Sequence, residues 1–210
     1  MSLSAQAKLQ LDQGLQALSL PPELAPALQA FVDLLQRWNA AYNLTAIRHP
    51  DDMVALHLLD SLSLWRWTQG KSQIDIGAGA GLPAIPLAIA EPLRRIDMVE
   101  PVGKKARFLR EAVRQFKLSH CTVFACRAEN VDPVARYDCL TARALGSLAQ
   151  IIEWGGHLVR DGGQILAMKG QFPGHEIDAL PSAWEVKKVE ALRVPFLDAE
   201  RHIVVLERRC

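Results

Sequence analysis

The chain has 210 residues, half of them hydrophobic and 22% charged, with 24 Lys and Arg set against 23 Asp and Glu for a net charge of +1. That length suits about one domain with a core of its own, and so even a balance gives no reason by itself to expect a polyanion partner. The longest apolar candidate, 82–90, is interrupted by Pro83 and Pro86 and falls far short of the roughly 18 residues of a membrane span, which is therefore excluded.

In chain order, residues 1–20 mix Lys8 and Asp12 with glutamines and contain no apolar stretch of a secretion signal. Between Pro21 and Trp38 apolar residues recur at Leu24, Leu28, Phe31, Leu34, Leu35 and Trp38, a spacing that predicts a helix. A second helix is predicted over about 50–68, with Met53, Leu56, Leu59, Leu62 and Leu64 among its apolar positions. The segment 39–49 joins them as a loop or short cap. Residues 1–70 are thus expected to form an N-terminal helical cap, part of the same domain as a core over 71–210.

From residue 72 the pattern alternates. Strands are predicted near 73–76, 95–100, 121–126, 137–142 and 163–169, with helices over about 82–91, 102–117 and 146–159, and the loop 127–136 has room for another turn. Such alternation predicts an α/β fold with a mostly parallel sheet covered on both faces. At the end, 184–194 and 202–208 are β-rich runs joined by 195–200, expected to form an antiparallel pair. Cys121, Cys126, Cys139 and Cys210 make no C-x-x-C pair and stand at no metal-ligand spacing with histidines. Reduced, buried thiols in a cytoplasmic protein are the expectation, with no metal. Cys121 and Cys126, five apart on one predicted strand, should point to opposite faces.

The stretch Gln73-Ile74-Asp75-Ile76-Gly77-Ala78-Gly79-Ala80-Gly81-Leu82-Pro83 carries the strongest functional signal. A β-branched run ends in alternate glycines, which let the chain turn sharply and let a ligand lie on the main chain; Leu82-Pro83 then opens a helix. Nucleotides bind at such a crevice in α/β sheets. A dinucleotide loop has G-x-G-x-x-G, whereas this one reads G-x-G-x-G. Asp75 lies two residues before the first glycine, and a phosphate about 4 Å away would be repelled by roughly 1 kcal/mol in water and about 4 kcal/mol at an effective dielectric of 20. An ammonium and a sulfonium would instead be attracted, directly or through water, which points to S-adenosylmethionine. An unliganded glycine turn is the competing reading. Glu100 ends the second predicted strand, 23 positions beyond Gly77, where an acid accepts hydrogen bonds from ribose hydroxyls; alternatively it only caps the next helix.

Between Val102 and Leu118 stand Lys104, Lys105, Arg107, Arg110, Arg114 and Lys117 against Glu111 alone. Such a stripe can bind RNA phosphates, with Lys104, Lys105 and Arg107 the candidates, or be a solvated helix face.

The motifs Trp38-Asn39-Ala40-Ala41-Tyr42-Asn43-Leu44-Thr45 and His57-Leu58-Leu59-Asp60-Ser61, the glycine stretch, Gly103-Lys104-Lys105-Ala106-Arg107-Phe108-Leu109, Ala142-Arg143-Ala144 and Met168-Lys169-Gly170 occur in this order. Together they resemble the glucose-inhibited division protein B family of bacterial small-subunit ribosomal RNA guanine-N7 methyltransferases. The resemblance implies a class I S-adenosylmethionine-dependent methyltransferase fold, Rossmann-like, with a mostly parallel seven-stranded sheet. It also implies 16S rRNA or the small ribosomal subunit as partner, with methylation at guanine N7 in the 530 loop. DNA and membrane are not expected partners, and a monomer is expected. In the family Gly-[Phe/Leu]-Pro-Gly is frequent, whereas this chain has Gly81-Leu82-Pro83-Ala84; alanine favours the helix that follows.

By the same resemblance the cofactor is contacted by Gly77 and Leu82, flanked at its adenine by Ala128 and Glu129, and approached by Arg143. Asp75, Gly79 and Glu100 join these as cofactor candidates from the residues themselves. Glu129 read alone is also a solvated loop acid, and Arg143 can pair with a cofactor carboxylate, an RNA phosphate or Glu129. Asn43, Arg48, His57 and Lys169 are candidates for the substrate side, with Thr45, Asp60 and Ser61 beside them, although His57 reads equally as a satisfied structural group and Lys169 as a surface lysine. Guanine N7 has an in-plane lone pair, so positioning without an obligatory general base is the expected chemistry, and no catalytic residue is assigned. A small-molecule methyltransferase and a non-catalytic RNA-binding ribosome-assembly factor remain as alternatives.

Overall fold

The computed structural model describes residues 2–209. Seven strands form one sheet in the order β3-β2-β1-β4-β5-β7-β6. β1 (Ser72–Ile76), β2 (Arg95–Val99), β3 (Val123–Phe124), β4 (Tyr137–Arg143) and β5 (Val159–Lys169) run parallel, while β7 (His202–Arg208) is antiparallel to both β5 and β6 (Trp184–Ala191). β1 is central and buried at four of its five positions, the pattern of a parallel strand covered on both faces. The order reverses between β1 and β4, so the loop after β1 lies at the topological switch where α/β sheets bind ligands.

One face of the sheet packs on the N-terminal segment and on α4 (Ala84–Ala90) and α5 (Gly103–Gln115), and the other on α6 (Leu148–Gly155) and Trp184. The N-terminal part comprises α1 (Ala5–Ala17) and α2 (Ala25–Tyr42). Phe31 and Trp38 of α2 meet Phe108 of α5 at ring distances of 6.3 and 5.7 Å. Leu11, Leu28 and Phe31 therefore share one apolar cluster with Phe108 and with Ile203 of β7.

The differences from expectation are local. Helix α1 was not expected, although Ala7, Leu11, Gly14 and Leu15 bury one face at helical spacing and Ser4 caps the start by accepting from Ala7 N at 3.1 Å. The second predicted helix is a π-turn over Val54–Leu59 that runs into a short helix, α3 (Asp60–Leu62), followed by turns. The wide turn buries Val54, Leu58 and Leu59 together. Pro83 precedes α4 as its N-cap rather than lying in the first turn. A five-residue helix, α7 (Gly174–Asp178), was also not expected.

Because β3 is only two residues long, Cys121 and Cys126 lie outside it. They are half-buried against opposite sides of the sheet, and of the three described cysteines Cys139 alone is fully buried. Burial pushes the thiols of Cys121 and Cys139 up to about 12. Cys210 lies outside the described residues. Among those described, no helix is long and apolar enough to cross a membrane.

Candidate cofactor cleft and adjoining substrate face

The glycine loop leaves β1 with Gly77, Gly79 and Gly81 at φ +66°, +57° and +79°, a region that side chains with a Cβ seldom enter. A Cβ on Gly81 would lie 2.6 Å from Ile85 Cγ1, and one on Gly77 would lie 2.8 Å from Leu145 Cδ1. Gly79 differs, since its Cβ would meet only Gly77 O at 3.7 Å and otherwise face open space. The loop is tied down by Ala78 N donating to Val99 O at 3.1 Å and Gly79 N donating to Glu100 Oε2 at 2.9 Å. Glu100 Oε1 accepts from Val102 N at 2.8 Å, at the start of α5. The buried carboxylate thus clasps the loop and caps the helix at once. Each oxygen keeps lone-pair capacity for a hydroxyl.

Two openings flank this loop and share Gly77. The larger, about 230 Å³, lies between the loop and Arg127, Ala128, Glu129, Leu145 and Trp154. The smaller, about 130 Å³, has Thr45, Gly79, Leu82 and Arg143 on its walls. Of the cofactor candidates, Gly77, Gly79, Leu82, Ala128, Glu129 and Arg143 are therefore gathered around two spaces that meet at Gly77 as a common wall residue. Neither Glu100 nor, deeper still, Asp75 is among the lining residues. Asp75 is buried beneath the loop, with Oδ1 accepting from Thr141 Oγ1 at 2.7 Å, and Oδ2 has no partner among the described residues. Burial pushes its carboxyl up to about 7, against the hydrogen bond from Thr141 and the charge of Arg143. The full negative charge expected at the strand end is thereby weakened, and a direct contact is replaced by a buried group with one unsatisfied oxygen.

On the other side, Arg143 Nη1 binds Asp60 Oδ2 at 2.7 Å and Leu56 O at 3.3 Å. Its carboxylate partner is thus Asp60, not Glu129. Asp60 Oδ1 accepts from Arg201 Nε at 2.8 Å. Asp60 stands among the substrate-side candidates of the sequence, but its bridging of two arginines and Arg201 itself were not singled out there. Ala144, at φ +53°, carries the chain from Arg143 between the smaller loop opening and a third space of about 240 Å³, lined by Asp60, Arg143, Met168, Gly170 and Arg201.

Two substrate candidates are already engaged by partners within the protein. His57 is buried, with Nδ1 2.9 Å from Leu56 O and Nε2 2.9 Å from Thr45 Oγ1. A carbonyl only accepts, which assigns the proton to Nδ1 and makes Nε2 the acceptor of the Thr45 hydroxyl. Burial, then the Arg143 charge, holds the ring down to about 4. His57 is therefore a neutral strut with both nitrogens engaged. Lys169 Nζ binds Gly146 O at 2.8 Å and Glu176 Oε2 at 2.7 Å with most of its side chain covered, so its charge is matched by a protein carboxylate. Asn43, at φ +51°, accepts from Arg48 Nη2 at 2.8 Å, and both are exposed. Buried Asn39 holds this turn, accepting from Thr45 N at 2.9 Å and donating to Ile47 O at 3.0 Å.

Lys104, Arg107 and Arg110 are exposed and Lys105 is half-buried on the first turns of α5. The Arg107 guanidinium lies over the Tyr42 ring, 5.8 Å from its centre, which brings Arg48 and the end of α2 to the same face. Further along, Arg114 is paired with Glu111 at 2.7 Å, so the stripe's surplus charge is concentrated near the N-terminal end of the helix. Among the described residues no group of three or more His, Cys, Asp or Glu side chains is placed to hold a metal ion.

A parallel sheet reversing at a glycine loop, an acid ending the second strand and an antiparallel seventh strand define the class I methyltransferase fold. The same architecture is found in the glycopeptide N-methyltransferase MtfA complexed with (S)-adenosyl-L-homocysteine, with a TM-score of 0.63 at 9% identity over 73% of this chain and 87% of that one. The family described as rRNA small subunit methyltransferase G matches residues 24–204. Proteins named ribosomal RNA small subunit methyltransferase G from Stenotrophomonas maltophilia and Xanthomonas campestris pv. campestris are each 52% identical to it. The first alignment covers 97% of this chain and 96% of the relative, the second 94% and 93%. The chain belongs to the rRNA small subunit methyltransferase G family.

Proposed function

We propose that this protein transfers a methyl group from S-adenosylmethionine to N7 of a guanine in the 530 loop of 16S rRNA. The observation that carries the cofactor reading is the left-handed glycine loop, clasped by Glu100 between two openings. The residues fit the group. Gly79 presents open backbone, Glu100 retains lone pairs for ribose hydroxyls, and Ala128 with Glu129 offers an amide and a carboxylate to an adenine edge. Leu82, Gly77 and Arg143 line the remaining wall. When bound, the cofactor supplies an electrophilic methyl group.

The chain's own part is positioning. Guanine N7 attacks with an in-plane lone pair and has no proton to lose, so no base is required. The cleft suits that chemistry. His57, behind Thr45 on its wall, has both nitrogens engaged and a depressed pKa, and Asp75 is sealed beneath the loop. The exposed cations Lys104, Arg107 and Arg48, with Lys105, offer a rim for phosphates. We further propose a monomer acting in the cytoplasm, with residues 1–70 as a cap that folds with the core. The test is nucleoside mass spectrometry of small-subunit rRNA from cells lacking the protein. The 7-methylguanosine signal should be lost and should return when purified protein and S-adenosylmethionine are added; a signal that persists would refute the activity.

A further inference from the structure

The space of about 240 Å³ beyond Arg143 is not used by the cofactor reading. Its wall is built around one carboxylate. Asp60, 1% exposed, binds Arg143 from the end of β4 through Oδ2 and Arg201 from the start of β7 through Oδ1. Two guanidiniums on one carboxylate leave a positive charge over. Both arginine side chains stay open to the cavity, 20% and 23% exposed, and among the described residues neither Nη2 donates to a protein acceptor. The nearby lysine is neutralised by Glu176. Room is available as well, since a Cβ on Gly170 would meet nothing within 4 Å.

We infer that this cavity is a phosphate seat for the substrate strand, formed by Arg201 and Arg143 and aligned by Asp60; the inference rests on the RNA reading above. The chemistry favours phosphate over the base. Guanidinium forks match phosphate oxygens in two-point geometry, whereas N–H donors turned on guanine N7 would occupy the lone pair that must react. Arg143 is common to this cavity and to the smaller opening beside the glycine loop, so a backbone held here runs alongside the cofactor site. Asp60 touches no substrate in this scheme. It is a positioning residue that fixes both forks.

The experiment measures binding of the full chain to small ribosomal subunits purified from cells lacking it, across a salt series, with S-adenosylmethionine affinity measured in parallel. Arg201→Gln should make the slope of log affinity against log salt shallower by about 0.7 to 0.9, the value of one phosphate contact. KM for subunits should rise about tenfold, with kcat and cofactor affinity within about twofold. Arg201→Lys should restore the slope while KM stays raised, because charge is kept and the fork is lost. Asp60→Asn keeps both cations, so it should raise KM without flattening the slope. An Arg201→Gln protein that binds cofactor normally and shows an unchanged slope overturns the seat, whether only its melting temperature falls (a structural ion triad) or kcat collapses (a base pocket). Wild-type protein that leaves subunits unmethylated instead overturns the RNA reading and the seat with it.

Discussion

Gly77 and Gly79 differ in a way that separates a folding cost from a ligand cost. Both hold left-handed backbone, so alanine at either should cost about 1–2 kcal/mol of stability from conformation alone. At Gly77 the new methyl would stand 2.8 Å from Leu145 Cδ1. That flexible end must move off its preferred rotamer, adding about 0.5–1.5 kcal/mol, for a total of roughly 1.5–3.5 kcal/mol. At Gly79 the nearest atom is 3.7 Å away and nothing is added. If the open space over Gly79 belongs to the cofactor, Gly79→Ala should nevertheless lose at least tenfold in S-adenosylmethionine affinity, about 1.4 kcal/mol. Urea unfolding gives the first quantity and titration calorimetry the second. A Gly79→Ala protein destabilised as expected but binding cofactor as tightly as wild type would refute the placement of the ligand on this loop. Gly77→Val should abolish binding altogether, since a β-branched residue at positive φ is a severe outlier.

Charge reversal at Lys104, Lys105 and Arg107 should weaken binding to small-subunit RNA and flatten its salt dependence while leaving cofactor affinity alone; a filter-binding series that shows both affinities falling together would make the stripe structural. Asp75 has a folded pKa near 7 against 3.8 for the free side chain, so the folded protein holds a proton that the unfolded chain releases. Its contribution to stability therefore falls as pH rises from about 4 to 7 and is flat above, a change of several kcal/mol at most. Asp75→Asn should remove that decline in chemical denaturation across this range, and an unchanged profile would contradict the burial argument. His57 acts in the opposite sense, since its pKa is about 4 in the fold against 6.5 free, and stability is lost as pH falls between those values. Phe31→Ala should cost about 3–5 kcal/mol in one cooperative transition, because Phe31 is buried against α5; two separate transitions would show that the cap folds apart from the core.

Elements with a strong local signature were legible. The glycine loop, the acid at the end of β2 and the strand–helix alternation all follow from short-range patterns, and the structure differs there by one to three residues at most boundaries. What escaped depends on partners distant in sequence. Asp60 and Arg201 are 141 residues apart and meet only because β7 returns beside β5. Lys169 looked free because Glu176 belongs to a five-residue helix with no periodicity to reveal it. The raised carboxyl of Asp75 was also invisible, since the charge argument assumed an exposed strand end and burial is a property of the finished sheet. Helix α1 is a different kind of omission. Its spacing at Ala7, Leu11 and Leu15 was present to be read.

The cap segment gains its meaning from those long-range contacts. The π-turn and the start of α3 present His57 and Asp60 inward rather than toward solvent. Asp60, once buried, requires cations, and Arg143 and Arg201 supply them from opposite sides of the antiparallel step in the sheet. Burial, and after it the charge of Arg143, disfavours a proton on His57, which therefore stays neutral and accepts from Thr45, and Thr45 also takes the amide of Ile47 at 3.2 Å. Thr45 lines the opening beside the glycine loop. A single chain of contacts thus runs from the turn after α2, through His57 and Arg143, to Asp60 and Arg201. Its members look like catalytic residues by type, yet each of the first three links satisfies another protein group. Their common effect is geometric: they fix the shared wall, through Arg143, of the opening beside the glycine loop and of the space beyond it.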